Sequence, residues 1–562
     1  MNGILMMVIA IIVLGGAYLL YGRYLARKWG VDPNRRTPAY ELEDDVDYIP
    51  TSRQVVFGHQ FASIAGAGPI NGPIQAAIFG WVPVLLWILI GGVFFGAVQD
   101  FGSIFASVRN KGRSIGYIIE LYVGKVGKRL FLLFVWLFSI LVVAAFADIV
   151  AKSFGVTGLD EAKALANGQV ASTSMLFIVF AVAFGFLIKN VKLNAGLNTT
   201  IAIVLLVLSI VLGMAFPISL GTKLWLYLVF LYILIASVTP VWALLQPRDY
   251  LNSYLLILMM IGAIAGIFVA NPTIELNAFS GFFVNGQAMF PILFVTIACG
   301  AVSGFHSLVA SGTASKQIRN EKDMLPVAYG AMLVESLLAV IALIAVGAVA
   351  KGGVIPSGTP QVIFSSAVAG FLGVLGIPEA MSFTIISLAV SAFALTSLDS
   401  VARVGRLAFQ ELFMDSSTDE EHMPVWQRVF TNKYFATVVT LVFGYWLSTN
   451  GYQNIWALFG SANQLLSALA LCALAVFLKR TKKQGAMLYV PMFFMLAVTL
   501  TALAQIIVRI IGKIGTDAFK FSSDGMQIIF AVLLVGLAII VVIECFKKLF
   551  GKEEEEVASA VA

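Results

Sequence analysis

Helix-breaking residues interrupt one long apolar run, in the stretch Gly66-Ala-Gly-Pro-Ile-Asn-Gly-Pro73. Two prolines and three glycines in eight residues are not expected to sustain a helix. Lipid offers no partners for the freed backbone groups, so such a break must face protein or a water-filled cavity. Half-helix ends of this kind hold anions and cations in secondary transporters. The predicted substrate ligands are Gly66, Gly68, Pro69, Asn71 and Gly72.

The alternative interpretation of this stretch is a helix end followed by a tight extracellular turn. Against it, Pro73 suits the first turn of a new helical piece over residues 74–80. A second apolar run contains Ala236-Ser-Val-Thr-Pro240. Pro240 removes one helix hydrogen bond, which Ser237 and Thr239 could compensate, or they could coordinate a ligand. A plain kink and a true break are both compatible with this pattern, and we include Ser237 and Thr239 among the predicted substrate ligands.

Titratable and hydroxyl groups within apolar runs suggest ion coupling, because such groups are costly in a membrane. Glu335 lies about nine residues, roughly 14 Å, into its helix, and burial suits it to carry a proton. His306 lies between Ser303 and Ser307 in a glycine-rich run, and His59 precedes the first break. We predict a proton as the coupling ion, through Glu335 or His306. Sodium bound by Ser303 and Ser307 is the alternative, and a histidine that merely completes the core is another.

The chain that must position these groups is extremely apolar. Of its 562 residues, 60% are hydrophobic and 12% are charged. A soluble domain cannot cover that much apolar surface, and a disordered chain needs the opposite composition. No zinc-binding HExxH, phosphate-binding Walker A or GxSxG motif occurs. We predict a membrane protein that is not an enzyme, with no cofactor, no metal site and no nucleic-acid partner.

Apolar runs separated by charged or Gly/Pro-rich breaks predict an all-α polytopic membrane protein with about fifteen spans. The predicted spans are 3–21, 57–80, 82–98, 130–151, 174–190, 197–217, 223–245, 251–270, 287–310, 326–350, 377–400, 434–449, 456–478, 486–508 and 527–546. Asp100, Asp399 and Glu544 fall at span ends and are expected at the interface. The first span lacks a basic flank and a cleavage site, so we expect a retained helix rather than a signal peptide.

The net charge of +6 reflects topology. Alternate loops between these spans carry 29 of the 36 lysines and arginines. The positive-inside rule places the basic loops in the cytoplasm, the N-terminus outside and the C-terminus inside. The remaining seven basic residues are Lys152, Lys163, Lys223, Lys351, Arg509, Lys513 and Lys520.

The interrupted second and seventh spans each lead a group of five helices, which is the pattern of an inverted-repeat transporter. We therefore predict an N-terminal helix and loop (1–56) and a ten-helix core (57–400) with halves 57–217 and 223–400. A cytoplasmic loop (401–433), a four-helix C-terminal region (434–546) and a charged tail (547–562) follow.

Four segments resemble the carbon starvation protein A (CstA) family: Gly58 to Pro73, Pro240 to Tyr250, Ser303-Gly-Phe-His-Ser307 and Leu398 to Arg406. The resemblance covers nearly the whole chain. It implies a bacterial or archaeal inner-membrane transporter of the amino acid–polyamine–organocation superfamily, with a LeuT-like 5+5 inverted-repeat core. Family members are described as peptide transporters induced on carbon starvation, and some as proton-coupled pyruvate importers.

We therefore expect a secondary transporter that imports a small carboxylate nutrient, a short peptide or pyruvate, with a proton. Sodium coupling is the nearest alternative. A membrane nutrient sensor that binds without transporting is the alternative from a different class. The expected partners are the substrate, the ion and the lipid bilayer.

Overall fold

The computed structural model describes residues 2–44, 47–191, 195–239, 244–414, 423–517 and 519–551. Up to residue 270 the helices are α1 (Gly3–Trp29), α2 (Pro38–Glu41), α3 (Arg53–Ile64), α4 (Gly68–Ala76), α5 (Trp81–Arg109), α6 (Ile115–Tyr122), α7 (Lys125–Phe154), α8 (Glu161–Asn190), α9 (Ala195–Ala215), α10 (Thr222–Val238) and α11 (Leu245–Ala270). A small antiparallel hairpin follows, formed by β1 (Phe283–Val284) and β2 (Gln287–Ala288).

The remaining helices are α12 (Met289–Ile297), α13 (Gly304–Gly312), α14 (Glu321–Val349), α15 (Pro360–Val374), α16 (Glu379–Leu412), α17 (Val425–Phe430), α18 (Lys433–Ser448), α19 (Tyr452–Arg480), α20 (Ala486–Ile511) and α21 (Ser523–Phe550). Among the described residues, twelve segments are long and apolar enough to cross a membrane. The prediction of an all-α polytopic membrane protein is confirmed. The count of fifteen spans stays a prediction, because α10 and α18 are short and the span 57–80 is interrupted.

Helix α15 corresponds to none of the predicted spans, and both of its ends lie on the same face of the protein. Gln361, in its first turn, accepts a hydrogen bond from Ser153 near the end of α7. Phe371, in its last turn, packs against Gly266 near the end of α11. Since α7 and α11 both end on this face, α15 lies along it.

The first interruption separates α3 from α4 and is shorter than predicted. Only residues 65–67 are non-helical, and α4 begins at Gly68. The expectation that residues 66–73 are unwound and that a new helical piece starts at residue 74 is therefore wrong. Pro69 lies in the first turn, where no N–H donor is needed, and Pro73 is accommodated inside the helix.

The second interruption separates α12 from α13 and was not predicted. Ala298 adopts φ 43° and ψ −116°, a short 3₁₀ turn covers residues 298–300, and α13 begins at Gly304. At the predicted seventh-span break, α10 instead ends at Val238 and α11 begins at Leu245. Residues 240–243, which include Pro240, lie outside the described residues.

Contacts between the helices are reciprocal around the two interrupted pairs. Helix α4 packs against α14, as α13 packs against α5. Helix α8 packs against α16, as α18 packs against α7, and α11 packs against α3, as α19 packs against α12. Helices α6 and α15 are the equivalent short helices of the two sets. These contacts favour halves that start at α3 and α12, with α9 and α10 as an extra pair in the first half, over the predicted start of the second half at residue 223.

Two faces of the protein are distinguished by their loops. On the basic face, Arg109 donates to the carbonyl of Gly30 (2.7 Å) and Lys479 donates to the carbonyl of Leu549 (2.9 Å). On the opposite face, Gly3 N donates to the carbonyl of Pro272 (2.8 Å). The two ends of the described chain therefore lie on different faces, while the orientation in the membrane stays a prediction.

Candidate functional site

A small cavity lies between the two interruptions. It has a volume of about 10 Å³, roughly the room that one water requires, so the structure is closed around its centre. Its walls come from α3, α7, the turn after α12, α13, α16 and α19. The lining residues are Ile64, Gly66, Phe138, Val142, Phe146, Cys299, Phe305, Ser397, Val401, Phe459 and Asn463.

The cavity is lined by aromatic and aliphatic groups with three small polar side chains and no charged one. Ser397 Oγ is buried without a hydrogen-bond partner, and it lies 2.5 Å from where a Cβ on Gly66 would project. Asn463 accepts from Phe305 N in the first turn of α13 (3.1 Å). A ligand here would meet the positive end of α13 together with unwound backbone.

The predicted ligands of the first break have different roles. Gly66 lines the cavity. Gly68, beside Pro69, is packed against Cys299, whose Sγ lies 2.7 Å from where a Cβ on Gly68 would project, and Gly72 is packed against the backbone of Ile297. These glycines let α4 approach the second interruption closely. Asn71 is buried, and in its side-chain amide neither Nδ2 nor Oδ1 has a hydrogen-bond partner.

Ser237 and Thr239 lie elsewhere, at the end of α10 on the basic face. Ser237 Oγ is 3.4 Å from Thr437 Oγ1, and Thr239 Oγ1 donates to the carbonyl of Ile235 (2.7 Å). Arg406 donates to the carbonyl of Ser237 (2.7 Å). Neither residue lines the central cavity, so the structure does not bring them together with the first break.

A fully buried triad joins three helices beside the cavity. His306 Nδ1 lies 3.0 Å from Asp100 Oδ2, and His306 Nε2 lies 3.3 Å from Glu335 Oε2 without the alignment of a hydrogen bond. All three side chains have no exposed surface. Among the described residues, no lysine or arginine forms an ion pair with either carboxylate.

A polar network holds this triad in place. Gln99 donates to Asp100 Oδ1 (3.3 Å) and to the carbonyl of Ser303 (2.7 Å), and Ser467 bonds the oxygen of the same amide. Ser303 Oγ is engaged by Asn463, whose Nδ2 donates to it at 3.0 Å. Ser307 Oγ donates to the carbonyl of Gly304 (2.6 Å). The hydroxyl of Ser303 is thus part of the polar network, and the hydroxyl of Ser307 bonds the backbone.

Two residues that line the cavity also contact the triad or the network around it. Cys299 lines the cavity, and its Sγ, a nitrogen of His306 and an oxygen of Glu335 lie within 4.8 Å of one another. Asn463 lines the cavity and holds Ser303. A change at the triad can therefore reach the cavity through a single side chain. The thiol of Cys299, the imidazole of His306 and the carboxylate of Glu335 could also bind one soft metal ion together. Transport assays must therefore separate an effect of metal from an effect of protons.

His59 belongs to a second buried network, on the basic-face side of the cavity. Its Nδ1 lies 3.4 Å from Asp249 Oδ2. Arg248, which is 1% exposed, donates to Asp249 (2.9 Å) and to the hydroxyl of Tyr232 (2.9 Å) and forms an ion pair with Asp399. The network joins α3, α10, α11 and α16. His59 is not part of the His306 triad.

Sequence reasoning identified Glu335 and His306 but missed their partner. Asp100 and Asp399, expected at the interface, are 0% and 1% exposed. The missed signal at Asp100 is that the helix continues through polar residues to Arg109. Cys299, Ser397 and Asn463 carry no sequence signal of their own, because only the fold brings them to the cavity.

Comparison with known proteins adds family relationships. A family model described as "Carbon starvation protein CstA" matches residues 2–356 and 348–502. The "Peptide transporter CstA" of Bacillus subtilis is 32% identical, covering 84% of this chain and 84% of that protein. The "Pyruvate/proton symporter BtsT" of Escherichia coli is 38% identical, covering 61% of this chain and 49% of that protein. A solved manganese transporter of Eremococcus coleocola has 13% identity and a TM-score of 0.49, covering 90% of this chain and 99% of that one.

Proposed function

The chain belongs to the carbon starvation protein CstA family, and from that premise we propose that it is a proton-coupled importer of small carboxylate nutrients. The substrate is a short peptide or pyruvate, and the location is the inner membrane of a bacterium or archaeon. The observation that carries the proposal is the buried triad of Asp100, His306 and Glu335 beside the central cavity. The names of the two curated relatives support both substrate classes.

The proton assignment follows from charge balance in a dry site. Two ionised carboxylates without a paired cation would cost several kcal/mol each at such depth. A proton held by the triad removes part of that cost. When the site opens to water, the proton can leave, so the charge of the triad differs between the closed and open states.

The geometry provides a short path for that proton. If Nδ1–H of His306 donates to Asp100, Nε2 carries the lone pair and lies 3.3 Å from Glu335 Oε2, and a small rotation of the carboxyl group would align the two. In this tautomer one proton can pass between Glu335 and Nε2. Asp100 then orients the ring and stabilises the imidazolium form. Glu335 and His306 act as a shared carrier rather than as alternatives.

Substrate binding is assigned to the central cavity. One carboxylate suits the positive end of α13 and the hydroxyl of Ser397, and an apolar remainder suits the surrounding phenylalanines. At about 10 Å³ the cavity must expand before it accepts any such ligand. This fits an alternating-access cycle in which the interrupted helices move apart.

Sodium coupling is the second candidate. Ser397 Oγ is buried without a partner beside the unwound backbone at Gly66, and hydroxyl and carbonyl oxygens suit a hard cation. Ser397 is also a proposed substrate ligand, so Ser397→Ala tests the cavity rather than the ion. Glu335→Gln tests the proton hypothesis, and the imposed sodium gradient tests the sodium hypothesis.

The test is uptake of labelled pyruvate and of labelled dialanine into proteoliposomes, with a proton or a sodium gradient imposed separately and chelator present to exclude metal effects. We expect accumulation with the proton gradient. Glu335→Gln should abolish accumulation and spare counterflow exchange, in which no net proton moves. Accumulation that survives in Glu335→Gln and His306→Ala and follows sodium would reject the proton hypothesis. Binding without accumulation under either gradient would indicate a sensor.

A further inference from the structure

A large cavity opens on the face opposite the basic face. Its volume is about 840 Å³, within the range of pockets that enclose small ligands. The ends of α7, α8, α10, α15, α16 and α18 surround it. It is separate from the central cavity, since Ser391 in its wall lies six residues, roughly 9 Å along α16, from Ser397 in the central cavity.

Lysines dominate the charge of this cavity. Lys152, Lys163 and Lys223 all line it, and they are three of the seven basic residues predicted for the whole face. One carboxylate, Asp148, lines it and bonds Lys152 at 2.8 Å. Lys223 is exposed and forms no ion pair with any described residue. The lining thus carries three ammonium groups against one carboxylate.

An ion pair at the rim of the cavity, between Lys163 and Asp160, neutralises little of the positive charge. Asp160, just outside the lining, accepts a hydrogen bond from Lys163, which holds the pKa of the Asp160 carboxyl below its usual range. Both partners are more than half exposed, so water screens this pair. The field inside the cavity stays positive and attracts anions from solution.

The wall also offers hydrogen-bond donors. Gln361 Oε1 accepts a hydrogen bond from the hydroxyl of Ser153. Gln361 Nε2 is buried in the wall and has no hydrogen-bond partner. An unpaired buried amide donor costs free energy unless a ligand accepts from it. The hydroxyls of Ser387, Ser391 and Ser448 line the same cavity.

We propose that this cavity is a second binding site, which captures a carboxylate-bearing solute before it reaches the central cavity. Lys223 and Lys163 attract the carboxylate, and Gln361 donates a hydrogen bond to it. Asp148 is paired with Lys152, so the recognised group is the carboxylate, which a peptide and a keto acid share. The capture role rests on the proposed import function, whereas binding itself does not.

The test measures binding of labelled dialanine and labelled pyruvate to the purified full chain in detergent, at low and at high salt. The variants are Lys223→Gln and the double variant with Lys163→Gln. Lys351→Gln, on the same face but outside the cavity, is the matched control. We expect each lysine to change Kd by roughly twofold to fivefold, and high salt to remove the difference.

Unchanged Kd in the double variant, or equal weakening in Lys351→Gln, would overturn the proposal. Weakening for one ligand only supports the site and identifies its ligand. In proteoliposomes the double variant should raise KM and leave kcat unchanged. The proposal of proton-coupled import and the proposal of a second binding site can fail separately. Glu335→Gln should leave binding at the second site intact, and a protein that does not transport can still bind a ligand there.

Discussion

Replacing Arg248 by methionine should open the basic-face side of the protein. Arg248 is buried against two carboxylates, those of Asp249 and Asp399. Methionine keeps much of the volume and removes the charge. The two carboxylates are then left in the interior without their buried arginine partner, and His59 lies 3.4 Å from Asp249.

The magnitude follows from the distances. A pair at 2.9 Å attracts by about 6 kcal/mol at an effective dielectric constant of 20. Desolvation of the arginine offsets part of this, and breaking a buried pair typically costs about 3–5 kcal/mol. If the network holds α3, α11 and α16 in the closed arrangement, a cost of about 3–5 kcal/mol shifts the equilibrium toward the open state by about two to four orders of magnitude.

Cys299 reports the shift, because it lines the closed central cavity. With Cys472 and Cys545 replaced by serine, the rate of maleimide labelling measures how often the cavity opens. The control is Arg403→Met, since Arg403 donates to the carbonyls of Ala236 and Thr239 at the end of α10 and not to a carboxylate. We expect labelling about 100-fold faster or more in Arg248→Met, and near the parental rate in Arg403→Met.

Equal labelling rates in the two variants would refute the reasoning. A variant that fails to fold is distinguished by adding Asp249→Asn and Asp399→Asn. The amides remove the uncompensated charges, so this triple variant should recover a monodisperse protein. It should still label faster than the parent, because the ion pairs between helices are gone.

Three further predictions concern packing, the first break and orientation. Gly72→Ala should lower stability by about 1–3 kcal/mol, because a Cβ there would overlap a carbonyl of α12; a thermal shift no larger than that of Gly370→Ala, which has open space, would contradict this. Asn71→Ala should reduce uptake and leave membrane insertion intact, because its buried amide has no partner; normal uptake kinetics would remove it from the site. A reporter at Asn167 should be external and one after Gly551 cytoplasmic, and both on one face would mean that the topology is wrong.

Burial of Glu335 could be predicted because it depends on position in an apolar run, which the sequence displays directly. The first interruption could be predicted because proline and glycine act locally. Its exact residues could not, because Gly68 and Gly72 are helical where α4 packs tightly against Cys299 and the last residues of α12. That contact is made by residues more than 200 positions away.

The second interruption could not be predicted, since the run Ala298-Cys-Gly-Ala-Val-Ser-Gly304 contains no proline. Its break includes the positive φ of Ala298 and a hydrogen bond that Phe305 N donates to Asn463, which belongs to a distant helix. The burial of Asp100 could not be predicted either, because it also depends on distant residues. Hydropathy ended its span early, whereas the polar partners Gln99 and Ser467 let the helix continue inside the protein.

The extra pair α9 and α10 imposes a rule of parity on this architecture. Each added helix that crosses the membrane reverses the direction of everything that follows it, so two restore the original sense. With two, α12 still enters the membrane antiparallel to α3, and the two interruptions meet at the same depth. A single inserted helix would make them parallel and separate the triad from the cavity. Membrane-crossing insertions into the first half can therefore be inherited only as hairpins, whatever their sequence.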